Sequence, residues 1–333
     1  MTGDFKFSVV DCDVEDKKTL QKYREKRAAW LNWLEQDESH AILPLIHNMA
    51  WNDVVFRFLA RMAEKDTSSP LRNSLVAEAI VDGHFATQVL AVRRLMDRTK
   101  GVISLRRLLS DLKKHRGLLT RENYVSHDGL PYDYEEAERR VWKSREGGGP
   151  FWGATTGPDA YSKSKRTHES FDQLAGVVPE RRSRTEQIPS ALFDRLSKWL
   201  DASDADQLVD WSHNFLAHGA DVHSRQRIDL AAVQPSLAKI TNAIRCLARV
   251  SEVVARLFSS GFGELIPIAQ FNKYEFLSSA VLSESDCDAL ERYWDSLIDE
   301  RNAFLDDVSA VLISPPLTLG LLNASRPRER GEN

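Results

Sequence analysis

Apolar residues recur every three or four positions along most of this chain, the spacing that gives an α-helix one buried face. The stretch EDKKTLQKYREKRAAWLNWLEQ predicts a charged helix with Leu20, Tyr23, Trp30 and Trp33 as its apolar points. In AILPLIHNMAWNDVVFRFLARMAEK, Leu45, Met49, Val54, Phe58 and Met62 fall near one face, with Pro44 in the first turn. The next segment, LRNSLVAEAIVDGHFATQVLAVRRLMDR, is apolar nearly all round, which predicts a central, buried helix. VISLRRLLSDLKKHR is a shorter amphipathic helix with Ser104 as its cap.

The pattern breaks between residues 117 and 164, where Gly, Tyr, Ser and charged residues dominate. Asp128-Gly129 and the run Gly147-Gly148-Gly149 are turn or linker chemistry, and EEAERRVWKS is a short helical candidate inside the region. A connection this long reads as a functional or a disordered loop. Helical spacing resumes with ESFDQLAGVV, PSALFDRLSKWLDAS and DADQLVDWSHNFLAH, with Ser203 or Asp204 as a cap and Gly219 as a stop. A long helix over LAAVQPSLAKITNAIRCLARVSEVVARLFSS and one more over SESDCDALERYWDSLIDERNAFL complete the set, followed by a tail expected to be disordered. FKFSVVDC is the one stretch that reads as a strand alternative. The fold class is therefore all-α: a helical bundle with a long irregular central insertion at 117–164. The expected division is a helical extension over 1–40, the bundle over 41–260, and a C-terminal helix and tail over 261–333.

Composition narrows the function classes. The chain has 333 residues and a formal net charge of -4, so any nucleic-acid footprint has to be local. Cys12, Cys246 and Cys287 are widely spaced and form no CxxC pair, which fits reduced thiols. No leader or membrane span is expected, and the predicted location is the cytoplasm.

The densest candidate chemistry lies in WSHNFLAHGAD, residues 211–221. His213 and His218 are five apart, about 140° around a helix, so they do not stack. Asn214 and His218 are four apart and share a face, where Asn214 is expected to orient the His218 ring. Helical zinc pairs sit three or four apart, so HNFLAH has the wrong spacing, although Asp221 and His223 are close by. Neither a metal nor a cofactor is predicted. Histidine suits proton transfer in phosphodiester cleavage, with a fixed cation to stabilise the transition state. The bland alternative is a helix C-terminus, where His and Asn satisfy the last carbonyls.

The segment His213-Asn214-Phe215-Leu216-Ala217-His218-Gly219 resembles the Arg-Asn-x-x-Ala-His-Gly motif of the HEPN superfamily, with His in place of Arg. Upstream, VDGHFATQVLAVRRLMDR and SLRRLLSDLKKH are similar to a conserved run of its abortive-infection U-type branch. The resemblance covers residues 41–260 and implies a helical bundle that forms homodimers. In active members it implies metal-independent RNA cleavage at a shared cleft, in a defence or toxin-type role, with a neutralising protein partner as a further expectation. By position, His218 matches the catalytic His and Asn214 the intervening polar residue, while His213 stands where Arg is expected. Three accounts stay open: a degenerate, non-cleaving member; His213 as a second acid–base group; or Arg93, Arg94 or Arg225 supplying the missing charge.

Two further features bear on function. Residues 93–116 hold nine Lys or Arg against two Asp, so Arg93, Arg94, Arg106 and Arg107 are candidate RNA-binding residues. A solvated helix face with local ion pairs is the alternative. In the insertion, Tyr124, Tyr132, Tyr134, Trp142, Phe151, Trp152 and Tyr161 either pack on the bundle or dock a partner. Glu78 and Asp82 are expected to be buried acids, and His84 a satisfied core histidine. The rival to an RNA-active protein is a non-catalytic helical module for dimerisation or partner binding.

Overall fold

The computed structural model describes residues 5–65, 68–144, 153–217, 229–258, 261–275, 277 and 284–303. The chain divides into two compact units, Met1–Ile268 and Ala269–Asn333. The first is an all-α bundle: α1 (Lys17–Leu31), α2 (Ile42–Lys65), α3 (Ser74–Met96), α4 (Leu105–Lys114), α5 (Arg121–Ser126), α6 (Tyr134–Lys143), α7 (Tyr161–Ala175), α8 (Ser190–Asp201), α9 (Ala205–Trp211), α10 (Leu230–Val233) and α11 (Leu237–Arg256). The second contains α12 (Glu284–Ala303), on which Leu290, Tyr293, Trp294 and Ile298 are exposed. The expected tail, NASRPRERGEN at 323–333, lies outside the described residues.

Local chemistry sets the helix ends. Asp16 accepts the Thr19 N–H at 2.9 Å to start α1, Asn73 accepts that of Leu75 at 3.0 Å to start α3, and Ser104 accepts that of Arg107 at 3.2 Å to start α4. Gly176, at φ +70°, ends α7 in the left-handed conformation that glycine tolerates. The buried faces then meet. α3 packs along α9 and α2, α11 lies against α2 and α8, and α4 lies against α8. Leu20, Trp30, Ile46, Val92, Leu108, Phe193, Leu208 and Leu247 share one apolar core. α1 is built into it, because the Trp30 indole and Lys26 both donate to Asp111 of α4, at 2.8 and 3.0 Å.

Two expectations change. α3 is not buried throughout: His84, Gln88, Val89, Val92 and Leu95 are buried, but Leu75, Val76 and Val81 are exposed, as are Glu78 and Asp82. Neighbours cover only its C-terminal half. Of the described helices, α3 alone is long and apolar enough to cross a membrane, a test that core helices also meet. His84 stacks on Phe56 at 4.0 Å and lies 3.8 Å from Asp53, with burial lowering its pKa below the ordinary range. Residues 5–12, the strand alternative, form turns and bends, and the described residues contain no strand.

The irregular insertion is not confirmed over its described part, because 117–144 and 153–164 carry α5, α6 and the start of α7. α5 and α6 both pack on α7. Arg121, fully buried, ties this region together. Its Nη1 donates to Asp172 at 2.7 Å, and its Nε donates to Glu186 at 2.9 Å. Its guanidinium lies 4.5 Å over the Phe171 ring. A single antiparallel bridge, Thr120 to Gln187, runs alongside. Among the aromatic residues, Tyr124 is buried and donates to the Arg256 carbonyl at 2.7 Å, Arg182 donates to the Tyr134 hydroxyl at 3.1 Å, and Trp142 is exposed. Phe151 and Trp152 lie outside the described residues.

Replacing Arg121 by Ala removes the buried partner of Glu186 and leaves Asp172 with Arg182 alone, and urea unfolding should record a loss of about 3–5 kcal/mol. A loss under about 0.5 kcal/mol, the scale of a surface substitution, would sink this account of the network.

Two buried histidines make stability depend on pH. Burial, first, and nearby cations push His127 down to about 3 and His168 to about 4. Both are lowered from the ordinary 6.5, so the unfolded chain takes up protons first as pH falls. Stability is fully present above about pH 6.5 and declines towards pH 4, at up to about 1.4 kcal/mol per pH unit for each histidine. Urea midpoints between pH 7 and pH 4.5 should show that slope. His168→Gln keeps a donor for the Tyr132 carbonyl and should remove one histidine's share of it; an unchanged slope would rule His168 out.

Candidate nucleic-acid interface

The site starts from the amphipathic pattern of α4. Leu105, Leu108, Leu109 and Leu112 sit at positions i, i+3, i+4 and i+7, and all are buried. That registration leaves Arg107, Lys113 and Lys114 on the remaining face. Together with the loop after α3 and the end of α8, they line a groove of about 540 Å³. Its walls carry six cations, Arg98, Lys100, Arg106, Arg107, Lys113 and Lys114, against two acids, Asp111 and Asp201.

Both acids are already engaged. Asp111 serves Lys26, Trp30 and His115, and these interactions hold its pKa below the ordinary range against the opposing effect of burial. Asp201 lies 2.6 Å from Arg106 and 3.9 Å from Arg98. Arg106 is mostly buried, and its Nε has no hydrogen-bond partner among the described residues. Arg107 donates to the Val102 carbonyl and lies 4.9 Å over the Trp33 ring, so a cation and an aromatic face share the groove. Arg106 and Arg107 were legible from composition. Trp33 was not, because it arrives from a distant segment through the α1–α4 contact.

Arg93 and Arg94 are elsewhere. They line a second hollow of about 510 Å³ with His40, Asp97 and Ile103. Arg94 donates to the Ser39 carbonyl at 2.9 Å. Asp97 accepts the Thr99 N–H at 2.6 Å, and that bond chiefly holds its carboxyl below the ordinary range. Arg93 and His213 add smaller effects of the same sign.

His213 and Asn214 sit on a π-helical turn, Ser212–Ala217, that continues α9. Wide turns of this kind are frequent at functional sites, though they also occur without one. Trp211 stacks on Phe215 across the turn at 4.2 Å. His213 is exposed. The Asn214 amide donates to the Asp210 carbonyl at 2.7 Å, a bond to its own helix. His218, expected as its partner, lies outside the described residues, as do Gly219, Asp221, His223 and Arg225. The structure thus puts Arg93 and Asp97 in one hollow, packs the turn that carries His213 on α3, and sets Arg106 and Arg107 in the other groove. Among the described residues, no three His, Cys, Asp or Glu side chains converge as metal ligands.

No family model matches the chain, and neither a curated protein nor a solved structure matches it.

Proposed function

We propose that this protein binds RNA along the α4 groove and carries a HEPN-type motif at residues 213–219, in a cytoplasmic bacterial defence role. The observation that carries the reading is the surplus of cations in that groove. Six line it; Arg98, Arg106 and Lys113 lie near Asp201, Asp206 or Asp194, while Lys100, Arg107 and Lys114 face no acid within ion-pair reach among the described residues, and the Arg107–Trp33 stack offers an edge against which a base can lie. In this reading the protein acts as a homodimer under the control of a neutralising partner. His218 moves the proton, and the charge lost by having His213 in place of Arg comes from Arg93 on α3, the helix on which the turn that carries His213 packs. Arg94 is a poorer substitute, since it is bound to the Ser39 carbonyl.

A non-catalytic partner-binding module is the second reading. The uncovered first half of α3 favours it: Leu75, Val76 and Val81 are exposed around the helix, and apolar residues left without neighbours are candidates for a partner's contact.

Affinity for a single-stranded RNA should fall with rising salt at a log–log slope of roughly -2 to -4, as for three to six phosphate contacts. Lys100→Gln and Lys114→Gln should each make that slope shallower by about 0.7, measured by fluorescence anisotropy. A slope near zero would end the RNA reading.

Cleavage is tested in EDTA with wild type, His218→Ala and His213→Arg. Cyclic-phosphate products that vanish in His218→Ala establish metal-independent cleavage. Activity appearing only in His213→Arg marks a degenerate site. If all three are inactive while binding persists, the protein is an RNA-binding module.

A further inference from the structure

A different part of the bundle holds a cleft of about 400 Å³ between α1, α5, α7 and the end of α11. That volume is within the range of small-molecule sites, about 300–1,000 Å³. Phe5, Leu31, Val125 and Phe258 supply apolar wall, and Arg27, His127, Asp128 and Lys163 supply the polar part. We propose that this cleft binds a small organic oxyanion, a phosphate monoester or a carboxylate carried on a flat apolar body.

Positive charge around the cleft outweighs the negative charge that lines it. Arg27 donates to the Phe258 carbonyl at 3.1 Å, and its buried Nε has no hydrogen-bond partner among the described residues. Arg24 stands behind the wall and donates to the His127 carbonyl at 2.8 Å, the Phe7 carbonyl at 2.9 Å and the Cys12 sulfur at 2.9 Å. All these acceptors are neutral. Lys163 reaches the cleft from the exposed face of α7. Asp128 is the one carboxylate among the described lining residues, and its Oδ1 is taken by the Phe7 N–H at 3.1 Å. The buried Tyr23 hydroxyl lies beside Arg27 and interacts with it, so it adds no negative charge to the cleft.

His127 records the same excess. Its Nδ1 lies 3.1 Å from the Tyr124 carbonyl, which only accepts, so Nδ1 carries the hydrogen and Nε2 is left as an acceptor. Burial, with Arg27, Arg24 and Lys163 adding to it, keeps the ring neutral. It is deeply set, yet it retains accessible surface because it lines the cleft. An oxyanion here would meet the Arg27 guanidinium through its remaining nitrogen, Nη1, and the ammonium of Lys163, while an aromatic body would lie against Phe5 and Phe258. The site uses none of the residues assigned to RNA above, so it stands or falls separately.

The test is calorimetry on the full chain with three probes: phenyl phosphate, benzoate and inorganic phosphate. Phenyl phosphate or benzoate should bind at one site with Kd below about 1 mM, and the tighter of the two identifies the oxyanion. Inorganic phosphate, lacking the apolar body, should bind at least about ten-fold more weakly. Lys163→Gln, on an exposed side chain that the fold does not need, should weaken the aromatic probe about ten-fold, and Arg27→Gln by at least as much. The His127 ring signals should shift in NMR, with its pKa rising when the anion is bound. The proposal is overturned if neither aromatic probe binds below about 1 mM, or if both variants bind as wild type does.

Discussion

A guanidinium with no solvent exposure is the constraint around which the middle of this chain is arranged. Removing a cation from water costs several kcal/mol, and the cost is recovered only where geometry and hydrogen bonds are complete. Arg121 meets that condition with Asp172, Glu186, the His168 carbonyl and the Phe171 ring face. Arg182 closes a second bond on Asp172, which keeps that carboxylate ionised. These groups come from α5, α7 and the loop before α8, so none of the three segments can leave without exposing an unpaired charge. The same packing buries His168 in neutral form and seats the residue pair Tyr124 and His127 beside the cleft.

The bundle also shows how a chain of net charge -4 presents positive surfaces. Acidic groups are committed internally: Asp111 to the α1–α4 contact, Asp172 and Glu186 to Arg121, Asp53 to Arg57 and the vicinity of His84. Several cations are instead bound to neutral carbonyls, which hold the side chain in place and leave its charge uncompensated. Arg24, Arg27, Arg94 and Arg107 all follow this pattern. Position therefore decides the local field more than composition does.

The helices were legible because their determinants are local. The i, i+3, i+4, i+7 leucines of α4 and its Ser104 cap lie within one short window, and so did the basic face opposite them. What escaped the sequence depends on partners far along the chain. EEAERRVWKS was legible as the short helix α6, but residues 117–133 read as irregular because Arg121 finds Glu186 65 positions along the chain, and no local period encodes that contact. The exposure of the first half of α3 escaped for the converse reason: apolar periodicity reports which residues could be buried, not whether a neighbour arrives to cover them. At the motif, the spacing of Asn214 allowed two partners four residues away, His218 ahead and the Asp210 carbonyl behind. The structure shows the second, which serves the helix itself.

Shape separates the two anion-attracting regions. The α4 groove is broad, and its cations are strung along a helix face and the adjoining loop, with one aromatic ring among them. Such an array suits a polymer whose charges repeat, since each phosphate meets one cation and releases its own counterions. The cleft beside His127 instead gathers Arg24, Arg27 and Lys163 about a single ring and walls them with Phe5 and Phe258. A chain of nucleotides has little room there, whereas a single oxyanion gains from every cation at once, and more strongly because water is partly excluded. Under the two proposals, spread charge along the wider groove and converged charge in the narrower cleft are different ways of attracting an anion with the same few residue types.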